Sequence, residues 1–344
     1  MDYLSEDLEI VAYDIQDSGI SGKRIFITGG TGFIGSLIVK SFLIANIKYK
    51  LDNTIEVLVR SKEKANEMFS DWTNCGLRLL VGEITHLTNT EKYDYIIHTA
   101  SPTSSKYFMT NPVEVLDINF QGTKNVLELA KFNNDSRVVC LSSMEAFGCV
   151  EESLKRIHEK ELGYIDISSI RSCYSEGKRV LELLCKCFSE EYGVYACVAR
   201  LAQTFGPGIL PTDNRVFAQF AKSAIKGEEI ILHTSGESVG NYCYTRDAIK
   251  GILTILLKGT KGETYTVVNE STTMMIREMA MLVVENFSEG KSKVVFDIQK
   301  ENKYGYAPET KMRLSSEKLR KLGWKAEVGL VDMYRRMIPY IVVD

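Results

Sequence analysis

Short apolar runs rich in β-branched residues fall near 24–28, 55–59, 77–81, 95–99, 137–142 and 194–200, and stretches with apolar residues at helical spacing lie between most of them. Such alternation predicts parallel strands joined by crossover helices, hence an α/β protein built on a doubly wound parallel sheet. After Gly206-Pro207-Gly208 the pattern loosens into helices and short strands, which predicts a smaller C-terminal α/β lobe. The expected organisation is a helical extension over 1–22, a sheet domain over 23–205, and a lobe over 206–344 interleaved with it. In the extension Leu4, Leu8, Val11 and Ile15 recur at helical spacing beside a mostly acidic face, which predicts a docked amphipathic helix.

Composition narrows the class. A chain of 344 residues can bury a substantial core, and a net charge of −3 with mixed acids and bases marks no nucleic-acid surface. Eight scattered cysteines follow no zinc spacing and read as reduced thiols, mostly core filler, so no metal site is expected. No apolar stretch is long enough to span a bilayer, and the acidic N-terminus is unlike a signal peptide, so a cytoplasmic protein without membrane partners is expected.

Candidate chemistry begins at Lys23-Arg-Ile-Phe-Ile-Thr-Gly-Gly-Thr-Gly-Phe-Ile-Gly35, where a strand runs into a glycine turn and then a helical pattern. Strand, glycine turn and helix in this order form a Rossmann-type dinucleotide unit. Gly29 permits the tight turn, Gly32 the approach of a pyrophosphate, and Gly35 close packing of helix on strand. The helix N-terminus, with Thr31, Phe33 and Ile34 around it, offers free N–H groups to phosphate. Further on, Arg171-Ser-Cys-Tyr-Ser-Glu-Gly-Lys-Arg179 places Tyr174 and Lys178 four apart, on one face of a helix. A phenol is a poor base at neutral pH, but a nearby ammonium favours the phenolate and makes proton exchange with a hydroxyl feasible.

Together these motifs resemble the extended short-chain dehydrogenase/reductases of the NAD-dependent epimerase/dehydratase family, in the branch that modifies nucleotide sugars. The resemblance runs from Lys23 to the C-terminus through the glycine turn, Ile96-Ile-His-Thr-Ala-Ser101, Asn119, Ser142-Ser-Met-Glu-Ala-Phe-Gly148 and the Tyr174/Lys178 pair. Residues 171–179 and Asp213-Asn-Arg-Val216 most resemble UDP-glucuronate decarboxylases. The resemblance implies that Ser143 binds the reacting sugar hydroxyl, that Tyr174 removes its proton, and that Lys178 holds the cofactor ribose and depresses the tyrosine pKa. It places Glu83 and Ile84 against adenine and Thr99, Ala100 and Ser101 along the cofactor, gives Asn119 a structural role, and assigns Ser142 and Gln203 to the substrate. It also implies a homodimer paired through helices near 113–132 and 174–192.

Cofactor identity stays open between NAD and NADP. After the second strand, where an NAD enzyme commonly supplies an acid to the ribose, Arg60 is followed by Ser61 and Lys62, and a guanidinium suits a 2′-phosphate or stacking on adenine. The reaction stays open too. Met144 stands where 4,6-dehydratases carry an aspartic acid, and a thioether cannot donate a proton to a departing hydroxyl. Glu145 remains, to contact the sugar or to exchange a proton beside a keto group. Gly240 falls where decarboxylases hold the diphosphate with an arginine, leaving Arg215 and Arg246 as candidates. The expected activity is therefore epimerisation or decarboxylation of a nucleotide sugar through transient oxidation at carbon 4. The alternatives are a 4,6-dehydratase, a one-step NADPH ketoreductase and, from a different class, a non-catalytic NAD(P)-binding protein.

Overall fold

The computed structural model describes residues 2–72, 74–88, 90–133, 135–298 and 311–341. In chain order the strands are β1 Arg24–Thr28, β2 Thr54–Val59, β3 Leu77–Val81, β4 Tyr95–His98, β5 Arg137–Ser143, β6 Tyr195–Leu201, β7 Gln203–Phe205, β8 Ile230–Leu232, β9 Val239–Gly240, β10 Tyr242–Tyr244, β11 Thr264–Val267, β12 Met274–Met275 and β13 Val294–Phe296. The helices are α1 Tyr3–Asp17, α2 Phe33–Tyr49, α3 Lys62–Met68, α4 Ser105–Thr110, α5 Pro112–Asp117, α6 Thr123–Phe132, α7 Ser172–Glu191, α8 Val216–Lys226, α9 Thr245–Lys258, α10 Ile276–Phe287, α11 Glu317–Arg320 and α12 Leu330–Ile341. A π turn, Ile118–Gly122, joins α5 to α6, where the sequence pattern reads as one continuous helix.

Seven strands form one parallel sheet in the order β11-β6-β5-β4-β1-β2-β3. The order reverses between β1 and β4, so the glycine turn after β1 opens at the switch point where ligands of such sheets bind. The central strands are buried on both faces, which is why they read as unbroken apolar runs. Three two-stranded sheets, β7/β10, β9/β12 and β8/β13, carry the C-terminal part. Their core gathers Phe205, Phe217, Tyr242, Met279 and Tyr334, whereas Ile249 and Ile252 of α9 and Tyr265 of β11 return to the core of the large sheet. Phe33, at the start of α2, packs against both cores. No helix among the described residues is long and apolar enough to cross a membrane.

Helix α1 buries Leu8, Val11, Ala12 and Ile15 against α2 and α9, with Leu4 partly covered. Its face is not purely apolar on the inside, because Asp7 is buried as well. The Asp7 carboxylate accepts from the Tyr244 hydroxyl and pairs with Arg246 at 3.2 Å and Arg336 at 3.5 Å. Burial nevertheless pushes this carboxyl up to about 6. At the near end of α1, Tyr340 of α12 donates to Asp2 at 2.7 Å and accepts from the Leu4 amide at 2.9 Å. The extension is thus tied to the first crossover helix and to α12 at once.

Candidate active site

The glycine turn is built for a close approach of backbone to backbone. Gly29 has φ +69°, and a Cβ there would lie 2.7 Å from the Ala100 nitrogen. A Cβ on Gly35 would sit 2.3 Å from the Gly29 carbonyl oxygen, so any side chain would push α2 off β1. Gly32 is exposed, and only the Gly29 oxygen, at 3.1 Å, would meet its Cβ. Gly32 also caps α2 without a side-chain hydrogen bond, which leaves the first amides of a 17-residue helix facing outward beside Thr31, Phe33 and Ile34. Thr99 donates to the Thr28 carbonyl at 2.7 Å and fixes the facing loop, and Ser101 donates to Asn119 at 3.2 Å. These residues fit a dinucleotide. They offer phosphate-binding amides at a helix N-terminus, in a turn that excludes side chains.

The cofactor's other end is less tightly drawn. Arg60 is exposed at the end of β2, next to Ser61, which caps α3 by accepting from the Lys64 amide at 3.1 Å. Glu83 is exposed, with its carboxylate 3.8 Å from His86, whereas Ile84 is buried against Gly122 of the π turn. Asn119 lies in that turn, donates to the Val115 carbonyl at 2.7 Å, and abuts Gly177 of α7. It therefore joins α5, α7 and the loop after β4, in keeping with a structural role.

Around the end of β5 the catalytic candidates converge. Tyr174 is buried in the first turn of α7, its ring stacked on Phe108 with centroids 4.3 Å apart, and its hydroxyl hydrogen-bonds with Ser143. Lys178, one turn on, is buried with Nζ 5.6 Å from the Tyr174 ring centroid and donates to the Leu141 carbonyl at 2.8 Å. Beneath them the buried His98 bridges the hydroxyls of Thr28 at 2.7 Å and Thr123 at 3.3 Å. Burial, then the Lys178 charge, brings its imidazole down to about 3, so it stays neutral.

The expected depression of the tyrosine by Lys178 does not appear in this structure. Burial first, and the Glu145 carboxylate second, push the phenol well above its ordinary value, against the Ser143 hydrogen bond and the charges of Arg171 and Arg215. Lys178 is itself perturbed: burial brings its ammonium down to about 8. If the ammonium is the working form, kcat/KM falls as pH rises through about 8, because the charge is lost above its own pKa. A pH–rate profile of the wild type checks this, and a profile flat to pH ~10, the range of an unperturbed lysine, would exclude a role for the charge.

Three further expectations change. Ser142 does not face Ser143's side of the strand. It is buried, and it donates to Glu182 at 2.5 Å, a carboxylate also held by the buried Arg200 at 2.9 Å. Successive strand residues point to opposite faces, so with Ser143 toward Tyr174 its neighbour turns away from any substrate there. Arg246 is buried between Asp7 and Glu327, 3.2 and 3.1 Å away, and cannot reach a diphosphate. Arg215, at the cap of α8, is paired with Asp213 at 2.7 Å rather than standing alone, although its charge does reach Tyr174. Gln203 lies half-buried on β7, where its backbone N–H donates to the Asn241 carbonyl at 3.0 Å.

Sequence reasoning missed what holds Glu145. Arg171 grips it through both oxygens, Nη1 at 2.7 Å and Nη2 at 3.1 Å, and Ser175 donates to it at 3.3 Å. A signal was present: Arg171 precedes Tyr174 by three residues and so shares its helix face. Met144 packs against the apolar cluster that holds Phe147 and Ile157. Gly240 is hemmed by Tyr242, whose hydroxyl oxygen would lie 2.2 Å from a Cβ, so no arginine fits at that position. Close by, a cleft of about 360 Å³ is lined by Val239 and Met275 with the cations Lys155, Lys311 and Arg313 and the acids Glu152 and Glu237.

Known proteins resemble this chain in sequence and in fold. UDP-glucuronic acid decarboxylase 1 of Xenopus tropicalis is 32% identical over 237 residues, which cover 68% of this chain and 53% of that protein. UDP-glucuronic acid decarboxylase 6 of Arabidopsis thaliana is 29% identical over 305 residues, covering 85% of this chain and 86% of that one. The chain thus spans about half the length of the Xenopus protein and most of the Arabidopsis one. Among solved structures, the UDP-glucose 4-epimerase of Thermotoga maritima, with UDP-glucose, superposes with a TM-score of 0.73 at 22% identity, covering 92% of this chain and 98% of that one. A dTDP-glucose 4,6-dehydratase of Bacillus anthracis, in complex with NAD, gives 0.72 at 18% identity, covering 92% and 96%. The profile of the NAD dependent epimerase/dehydratase family matches residues 25–269, from β1 past β11, and the chain belongs to that family.

Proposed function

We propose that this protein is an NAD-dependent nucleotide-sugar enzyme that oxidises carbon 4 of a UDP-hexuronate, lets the ketone labilise the carboxylate at carbon 5, and returns the hydride. Bound at the glycine turn, the nicotinamide dinucleotide supplies the acceptor and later the donor of that hydride. Ser143 holds the carbon-4 hydroxyl, Tyr174 takes its proton, and Lys178 holds the cofactor ribose. With carbon 4 a ketone, the sugar is a β-keto acid. The bond to the carboxylate breaks, its electrons pass into an enolate at carbon 4, carbon dioxide leaves, and carbon 5 is reprotonated.

The observation that carries this reading is Glu145, a carboxylate fixed beside the Tyr174–Ser143 pair. A one-step carbonyl reductase needs no such group. Both its oxygens already accept from Arg171, which suits it to orienting a sugar hydroxyl and suits it poorly to removing a carbon-bound proton. Decarboxylation needs no such base, and the relatives named UDP-glucuronic acid decarboxylase support the same choice. Epimerisation at the keto stage is the second reading, favoured only if Glu145 swings free. With no arginine at position 240, Lys155, Lys311 and Arg313 become the cations for the diphosphate. Incubation with UDP-glucuronate, UDP-glucose and dTDP-glucose, followed by product mass, tests the proposal. Loss of carbon dioxide supports it, an unchanged mass with a new sugar indicates epimerisation, loss of water indicates dehydration, and stoichiometric NADPH consumption indicates a reductase.

NAD is proposed as the working cofactor, after the family and the neighbour solved with NAD. The exposed Arg60 is the residue through which NADP would be accepted. Arg60→Glu is expected to weaken NADP binding by roughly tenfold or more, since a charge-assisted hydrogen bond is replaced by repulsion, and to leave NAD binding intact. Titration of both cofactors checks it, and an unchanged preference would remove Arg60 from the site. A homodimer is proposed as well, because α5, the π turn and α7 expose Val113, Leu116, Phe120 and Leu183. Sedimentation should give a dimer mass, and a concentration-independent monomer would count against it.

A further inference from the structure

Arg171 serves neither the hydroxyl nor the cofactor in the mechanism above, yet it is committed more fully than a surface arginine. Its guanidinium forms a two-pronged contact with Glu145, and the pair is only a third exposed, at 33% and 31% of the side chains. Two parallel N–H bonds fix the plane of a carboxylate as well as its position, which a lysine cannot do. The backbone reinforces the link, because the Arg171 carbonyl accepts from the Tyr174 amide at 3.4 Å, in the same turn that aims the phenol. Ser175, one residue on, adds a hydrogen bond to the same Glu145 oxygen that receives Nη1. One turn of helix therefore sets Tyr174 with its own side chain and Glu145 with two others. The Glu145 charge acts in turn on Arg171, Cys173 and Tyr174 of that same turn, while Arg215 reaches Tyr174 from the cap of α8.

We infer that Arg171 is a positioning residue. It holds the Glu145 carboxylate in one plane against the Tyr174–Ser143 pair, so that the sugar, once oxidised, is presented in the orientation that the second half of the reaction requires. The role is exerted wholly through Glu145, and Arg171 touches neither substrate nor cofactor. The inference rests on the sugar-oxidising reading above. It adds that the arginine belongs to the step after the first hydride transfer, and that it matters by geometry rather than by contact.

The test is a double-mutant cycle on the full chain with UDP-glucuronate. Arg171→Ala is expected to lower kcat about 10²-fold, the scale of a misplacement near 1 Å, with KM and bound nucleotide little changed. Guanidinium chloride at millimolar concentration should restore part of the rate, because it refills the two-pronged site. Arg171→Lys should recover less than the guanidinium does. Arg171→Ala combined with Glu145→Gln should be no slower than Glu145→Gln alone, since one residue acts through the other. Additive losses would overturn the inference and make Arg171 a substrate contact, and wild-type kcat in Arg171→Ala would overturn it by leaving the arginine no role in turnover. If the alanine variant does not fold, Arg171→Gln, which keeps bulk and polarity, takes its place in the same cycle. Should Glu145→Gln prove silent, or the wild type inert to UDP-glucuronate, the parent reading falls and this inference with it, whereas an additive cycle in an active enzyme sinks this inference alone.

Discussion

Tyr174→Phe is expected to lower kcat by ~10² or more while leaving bound nucleotide nearly unchanged, the loss typical of a general acid–base group. The ring is buried and stacked on Phe108 at 4.3 Å, so phenylalanine keeps both the volume and the stacking. What disappears is the hydroxyl that bonds Ser143. The glycine turn, which carries the phosphate-binding amides, belongs to the loop between β1 and α2 and is untouched. Kinetics on the substrate found by the product assay, with quantitation of nucleotide released on denaturation, would read the two effects separately. A variant within about tenfold of wild type would remove Tyr174 from the proton-transfer role.

Glu145→Gln is the second large effect, and it separates the sugar reading from simple reduction. Glutamine keeps the size but offers one acceptor in place of two, so Arg171 loses half of its grip. Oxidation at carbon 4 depends on Ser143 and Tyr174 and should still occur. The later step should stall, so that reduced nicotinamide builds up in its near-ultraviolet band together with a keto sugar. Full turnover without that signal would make Glu145 a structural partner of Arg171 and bring the reductase reading forward.

Much of this architecture was legible because parallel strands covered on both faces leave unbroken apolar runs, and the six strands expected from the pattern fall within one or two residues of their observed bounds. Tyr174 and Lys178 were legible because a helix alone brings residues four apart together. The failures share one cause, dependence on partners far away in sequence. Asp7 reads as one more acid on an acidic face, since nothing near it reveals that Arg246 and Tyr244 will enclose it. Ser142 and Ser143 are equal candidates until the sheet decides which face holds the site. The Glu145–Arg171 pair spans 26 residues and became visible only when α7 docked beside β5. The π turn at Ile118–Gly122 was not legible because a single five-residue turn is too short to show a period of its own inside a longer helical stretch.

The placement of α1 has a bearing on how the chain folds. Its apolar stripe meets α2, which follows within a few tens of residues, but its bond to Tyr340 closes a loop of 336 residues. During synthesis α1 can dock early on its local partner, while its polar contacts wait for Arg246, and then for α12. Amide hydrogen exchange along Tyr3–Asp17 thereby becomes a gauge of whether distant parts of the chain have folded. Slow exchange there would report a finished C-terminal lobe, and fast exchange a chain whose sheet has formed while that lobe has not.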